Sequence, residues 1–332
     1  MFKTMKLTLD QIKTITRGVD SVTEADGKFH FYRFTQAQIK AYETTSPNDF
    51  YRKSFASSGV RFYFRTNSTK LAFNYEFGYG SSREYAYFDL YVNGAMEKHF
   101  GSDGNACRGG SINIALPAGE KTLELYFPWS RCTMLSDVEL DDGATIEGLY
   151  RKYKMISFGD SITHGYDAIY PSLSYASQLA QNLDAEQLNK GIGGDIFFPA
   201  LLDEKDAFEP DFITVAYGTN DWSKCPREDF EKNCTEFYNR LSAMYPNAKI
   251  FAITPIWRGD GFRKVCGFGS PVTNVHPMIA EICKDLTNVV VINPYNFVPH
   301  RPEFFADLRL HPNDFGFGLY AKGVYNEIVK YL

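Results

Sequence analysis

Paired cysteines, a basic face and a long apolar run are all missing from this chain of 332 residues. Six cysteines are present (Cys107, Cys132, Cys225, Cys234, Cys266, Cys283), but none forms a C-x-x-C pair or stands at zinc-like spacing from a histidine. That argues against a metal site or redox motif, and the six are expected to be reduced, buried, small hydrophobes. Charge is evenly spread: residues 1–150 hold 17 Lys and Arg against 18 Asp and Glu, and subtraction from the totals of 35 and 40 leaves 18 against 22. Neither half offers the basic stripe a phosphate backbone requires, which excludes nucleic acid as a partner. No run approaches the roughly 20 apolar residues of a membrane span. Met1 to Asp10 also lacks the apolar centre of a signal peptide, so a soluble, cytoplasmic protein is expected unless a leader precedes the sequence given. Nothing indicates an oligomeric state.

What is present is ample for packed cores: 44% apolar and 16% aromatic residues, in a length that points to two domains. From Phe29 to about Val138 the hydrophobic pattern has period two, as in Val60 to Arg65 and Tyr85 to Val92, the signature of strands. Asn93-Gly94 is a two-residue hairpin turn into Ala95 to Phe100. Ser111 to Leu116 and Thr122 to Phe127, joined through Pro117-Ala118-Gly119-Glu120, make a second hairpin. Short strands without intervening helices predict an all-β sandwich of jelly-roll type over 1–148, ending near Asp141-Asp142-Gly143-Ala144 and Glu147-Gly148. Its many tyrosines are expected mainly in the core, with sugar stacking as the functional alternative.

Over 149–332 strand and helix alternate. Expected strands are Ile156 to Phe158, Glu186 to Leu188, Phe212 to Tyr217, Lys249 to Ile253 and Val289 to Ile292, the last covered on both faces. Helical patterns cover Ser172 to Leu183, Pro199 to Asp206, Phe230 to Met244, Val272 to Leu286 (bent or started by Pro277) and the C-terminus. This alternation predicts an α/β fold with a doubly wound parallel sheet of about five strands.

Polar clusters follow three of these strands: Ser161 after the first, Gly193-Gly194 after the second, Asn220-Asp221 after the third. His311 precedes the last helix. In an open parallel sheet these positions face one crevice, and acyl transfer needs these groups: a hydroxyl, a base, and donors for an oxyanion. Each cluster alone is ordinary turn chemistry; their order along the chain is what carries weight.

The motifs Gly159-Asp160-Ser161-Ile162-Thr163, Asn189 to Asp195, Gly218-Thr219-Asn220-Asp221 and His311-Pro312 resemble, in order, the four blocks of the SGNH/GDSL hydrolase family. The resemblance implies a flavodoxin-like α/β hydrolase domain with Ser161 as nucleophile and His311 as general base. It implies an oxyanion hole from Ser161 N–H, Gly194 N–H and the Asn220 amide, with glycine at 194 so that no side chain obstructs the acyl oxygen. The family places its acid three residues before the histidine, where this chain has Leu308; Asp307 lies four before. Either the loop absorbs one residue and Asp307 orients His311, or a backbone carbonyl does so in a dyad.

His164, three residues after Ser161, is a rival base expected instead at the pocket rim. Asp160 and Asp221 are expected to brace loops as hydrogen-bond acceptors. Trp222 and Trp257 fall on the catalytic edge, either as walls for a sugar ring or short acyl chain, or as plain packing. The expected activity is hydrolysis of a small acyl ester, acetyl foremost, on a carbohydrate or other small-molecule or oligosaccharide ester, without metal or organic cofactor. The alternatives are a lysophospholipase or thioesterase on longer chains, and a non-catalytic glycan-binding protein.

Overall fold

The computed structural model describes residues 3–103, 108–263 and 266–332; Cys107 lies outside them. The first half builds two antiparallel sheets. One orders Ser21–Ala25, Lys28–Tyr32, Arg131–Asp141, Lys70–Tyr79 and Gly109–Ala115, with Thr4–Lys6 also on Arg131–Asp141. The other orders Glu147–Gly148, Arg61–Thr66, Lys121–Tyr126, Ala86–Val92 and Ala95–Ser102, with Thr16–Arg17 on Arg61–Thr66. The alternation read from sequence is what buries them: Phe62, Phe64, Leu90, Leu123, Leu125 and Leu135 share one core. Burial of one such side chain contributes about 1.5–3 kcal/mol. Asn93 and Gly94 both have positive φ, 51° and 78°, as a type I′ turn requires.

Two expectations about this half are corrected. It contains helices, Leu9–Ile15, Gln36–Thr45 and Phe50–Ser54; the first two start at capping boxes, Thr8 with Gln11 and Thr35 with Gln38. Its tyrosines are not mainly in the core: among the described residues before 148 only Tyr42 and Tyr126 are buried, and the others are half-buried.

The second half forms a five-stranded parallel sheet ordered Ala185–Gly191, Tyr153–Gly159, Phe212–Ala216, Lys249–Ile253, Val289–Ile292. Numbered along the chain this is 2-1-3-4-5, so strand order reverses between Tyr153–Gly159 and its neighbours, and that reversal opens a crevice at the carboxyl ends. Helices cover both faces, Arg227–Met244 and Val275–Cys283 on one, Tyr175–Asn182 and Asp314–Ile328 on the other. Pro277 falls in the first turn of Val275–Cys283, where its missing N–H costs no helical hydrogen bond, so it starts the helix without bending it. The helical pattern after Pro199 yields only a 3-10 turn, Pro199–Leu202. Val289–Ile292 is an edge strand with three of its four residues half-buried, not a strand covered on both faces.

The halves share a core. Phe34, Ile39 and Tyr42 pack with Ile156, Leu188 and Trp222, so the segment around Gln36–Thr45 belongs by packing to the α/β unit although it precedes residue 148. Cys234 and Cys283 are buried in that core; Cys132, Cys225 and Cys266 are only half-buried, and all five are free thiols. No helix among the described residues is long and apolar enough to cross a membrane.

Candidate active site

Strand register sets the site. Gly159 stands level with Gly191 on one side and Ala216 on the other, so the segments that follow leave the sheet at one height. The chain turns from Gly159 into a single helical turn, Ser161–His164, whose first N–H groups are capped by Asp160; its carboxylate accepts from Ile162 N at 3.0 Å. A Cβ at Gly159 would lie 2.1 Å from Thr163 Oγ1, so the turn requires glycine there.

Ser161 Oγ lies 2.8 Å from His311 Nε2. His311 Nδ1 lies 2.9 Å from Asp307 Oδ2. Since a carboxylate only accepts, Nδ1 carries the proton, which leaves Nε2 to accept from the serine hydroxyl. Asp307 also accepts from the backbone N–H groups of Arg309, Leu310 and His311 through Oδ1, at 3.0, 2.7 and 3.0 Å. Burial raises its pKa, but hydrogen bonds from His311 and these amides outweigh that and hold the carboxyl well below its usual range. The extra residue before His311 is accommodated by Leu308, exposed and left-handed at φ 58°.

A second carboxylate faces the same imidazole. Asp167 Oδ2 is 3.3 Å from His311 Nδ1 and also accepts from Arg83 Nη2 at 3.0 Å. Sequence reasoning missed both residues: Arg83 comes from the β-sandwich half, and an aspartate six residues past Ser161 carries no motif. Asp167 is left-handed, φ 72°, a conformation in which aspartate is enriched. Asp167, Asp307 and His311 also converge closely enough to offer a cation three ligand atoms. Nδ1 is hydrogen-bonded to Asp307 and faces Asp167, so both carboxylates favour one orientation of the imidazole.

Gly191 to Gly194 form the opposite wall. Gly194 is at φ 91°, which favours glycine, but a Cβ there would point toward Lys224 Nζ and Phe50, 3.5 and 3.6 Å away. The left-handed backbone by itself favours glycine at this position. At Gly193 a Cβ would strike the Tyr166 ring at 2.3 Å. Among the described residues, no acceptor takes the main-chain N–H of Ser161 or Gly194. Asn220 donates Nδ2 to Asp195 O at 3.0 Å, which orients the amide and leaves its second hydrogen free. Asp221 accepts from Phe197 N and Gly218 N, fixing the loop; burial pushes its pKa up to about 7. Asp160 and Asp195 are likewise raised by burial, to about 6 and about 7.

Ser161, Gly194, Asn220 and His311 line one cavity of about 390 Å³, with Ser82 and Arg83 from the first half on its rim. A larger cavity, about 570 Å³ beside Pro277 and Met278, does not include Ser161.

Three expected pocket residues lie elsewhere. His164 is fully buried: its Nδ1 accepts from Gly193 N at 3.1 Å and its Nε2 donates to Trp129 O at 3.1 Å. That pairing requires the neutral ring, and burial drives its pKa well below the usual value. Trp222 is fully buried with its indole N–H on Ser270 O at 2.6 Å, because two residues along a short helix place it opposite Asn220. Trp257 stacks on His300 and packs on Phe305, off the cavity.

A hydroxyl, an imidazole oriented by carboxylates and free amide donors at a sheet switch point define the serine-hydrolase class of site. Residues 157–319 match the GDSL-like lipase/acylhydrolase family. No curated protein matches the chain in sequence. Among solved structures, it is similar to a salicylyl-acyltransferase from a tetracycline biosynthetic pathway at 23% identity and TM-score 0.79, covering 99% of this chain and 97% of that one. A family two carbohydrate esterase from Clostridium thermocellum, solved in complex with cellohexaose, aligns at 17% and 0.66 over 92% and 98%. An acetyl xylan esterase from the rumen bacterium Butyrivibrio proteoclasticus aligns at 16% and 0.63 over 99% and 98%. These likenesses extend over the β-sandwich half as well as the hydrolase fold.

Proposed function

We propose that the chain is a serine esterase that removes a small acyl group, acetyl foremost, from a hydroxylated substrate such as a carbohydrate. The observation that carries this is the unbroken hydrogen-bonded line Ser161 Oγ, His311, Asp307, at 2.8 and 2.9 Å. Ser161 Oγ attacks the ester carbonyl as His311 Nε2 takes its proton, and Asp307 stabilises the imidazolium that results. The tetrahedral oxyanion is received by Ser161 N–H, Gly194 N–H and the free hydrogen of Asn220. His311 returns its proton to the departing alcohol, then activates water, which releases the carboxylic acid from Ser161.

The acyl-length and sugar assignments are supported by the mainly polar lining around Ser161, in which Tyr166 and Leu310 are the only large apolar side chains among the described residues, and by the carbohydrate esterases among similar structures. The test is turnover of p-nitrophenyl acetate, an acetyl-to-octanoyl series, and acetylated sugars. Acetyl esters are expected to be cleaved fastest, with Ser161→Ala lowering kcat by about 10⁴ or more. Undiminished turnover by that variant would remove Ser161 as nucleophile. A rate that rises with chain length would favour the long-chain alternative, and sugar binding without turnover a glycan-binding protein.

A further inference from the structure

The cavity around Ser161 is cationic in a chain whose net charge is −5. Six lining side chains are basic (Lys53, Arg83, Lys224, Arg258, Arg263, Arg309), whereas Asp49 is the acidic one. Two of the six are neutralised locally. Lys53 pairs with Asp49 at 2.6 Å, and Arg83 with Asp167. Of the other four, the three arginines share a single carboxylate: Asp260 receives Arg258 Nε at 2.6 Å, Arg263 Nη1 at 3.0 Å and Arg309 Nη1 at 3.3 Å.

Burial alone would raise the pKa of Asp260, but Arg258 and its two neighbours outweigh that and hold the carboxyl below its usual range, so it is already ionised. It has no further charge to give. Arg258 is buried and spends its remaining Nη1 on Thr219. Arg263 and Arg309 are 39% and 51% exposed, leaving guanidinium N–H groups open to the cavity. Among the described residues Lys224 has no carboxylate within ion-pair distance; its Nζ donates to Gly194 O at 2.9 Å, beside the wall that would receive the oxyanion. Like charges gathered around one cavity repel, and a bound anion removes that repulsion.

We propose that the ester cleaved here carries an anionic oxygen group, a carboxylate foremost, held in this cavity by Lys224, Arg309 and Arg263. The proposal rests on the esterase reading and narrows its substrate class. The charge belongs either to the alcohol, as in an acidic sugar, or to the acyl group, as in a dicarboxylic half ester. Two matched pairs separate these sources: acetylated methyl glucuronoside against acetylated methyl glucoside, and the 4-methylumbelliferyl half ester of adipic acid against the hexanoate.

In one pair kcat/KM is expected to be about tenfold higher for the anion at low ionic strength, with the gap closing in high salt. Lys224→Gln and Arg309→Gln are each expected to shrink that ratio several-fold. Ratios at or below one in both pairs would overturn the proposal while leaving the esterase intact. Calorimetry on Ser161→Ala protein supplies a readout independent of turnover, comparing glucuronate with glucose and adipate with adipamide. Preferential binding of an acid there, together with a wild type that cleaves no ester, would sustain the anion site and sink the esterase reading. Equal binding of acid and neutral partner would count against the site.

Discussion

Two segments at the site carry a histidine, the turn Ser161–His164 and the loop of Asp307 to His311, and they are built in opposite ways. The turn carrying His164 is sealed: the ring lies between Gly193 N and Trp129 O, and Ser58 Oγ donates to His164 O at 2.7 Å. The glycine segment beside it is held from the first half, by Arg33 Nη1 on Asn189 O at 2.6 Å and Lys53 Nζ on Gly193 O at 2.7 Å. The loop of Asp307 to His311 is half-exposed and held chiefly by one carboxylate accepting four N–H groups. The difference separates two jobs. A wall that receives an oxyanion gains from rigidity, because its dipoles must be aimed before charge develops. A base that accepts and returns protons needs its second nitrogen open, which sealing would forbid.

Five substitutions press on this contrast, in falling order of effect. His311→Ala is expected to cost about 10⁴ or more in kcat with little change in Tm, whereas His164→Gln is expected to lower Tm and cost far less activity. Comparable kcat losses in both would erase the contrast. Asp307→Asn follows, at about 10²- to 10⁴-fold in kcat through the wrong tautomer, against roughly tenfold or less for Asp167→Asn, which sits 0.4 Å farther from the imidazole (3.3 minus 2.9 Å). Equal losses would make the two carboxylates joint orienting acids.

Lys53→Met tests the brace itself. It leaves Gly193 O without its donor and is expected to cost about 1–3 kcal/mol of stability, with kcat falling more than KM rises. The smallest effect concerns pH. His164 stays neutral in the folded protein but binds a proton in the unfolded chain below about pH 6.5, so its contribution to stability is present above that pH and lost as pH falls. The buried Asp160, Asp195 and Asp221, with raised values, contribute in the opposite sense, so the informative quantity is a difference. Relative to wild type, His164→Gln is expected to gain stability on acidification from pH 7 to 5, by up to about 1.4 kcal/mol per pH unit.

The parallel unit was legible because buried strands are continuous apolar runs and the polar groups follow them directly. Ser161, Asn220 and His311 were therefore placed by sequence, and Asp307 was named as one of two alternatives. The first half was harder. Thr8-x-x-Gln11 and Thr35-x-x-Gln38 are capping-box patterns visible in the sequence, but assigning the whole of 1–148 to a sandwich hid the helices they start. Trp222 was left between pocket wall and plain packing because sequence adjacency to Asn220 says nothing about direction on a helical turn; it packs. Lys53 and Arg83 were invisible for another reason: each acts on a partner brought close only by packing the two halves together, and Asp167 meets His311 only through the fold of the second half.

The most direct test of the account is the site of covalent capture. After incubation with a fluorophosphonate, peptide mass spectrometry is predicted to place the adduct on Ser161 in the wild type and to find it nearly absent in His311→Ala protein. Modification of a different residue, or equally fast labelling of Ser161 without His311, would contradict it.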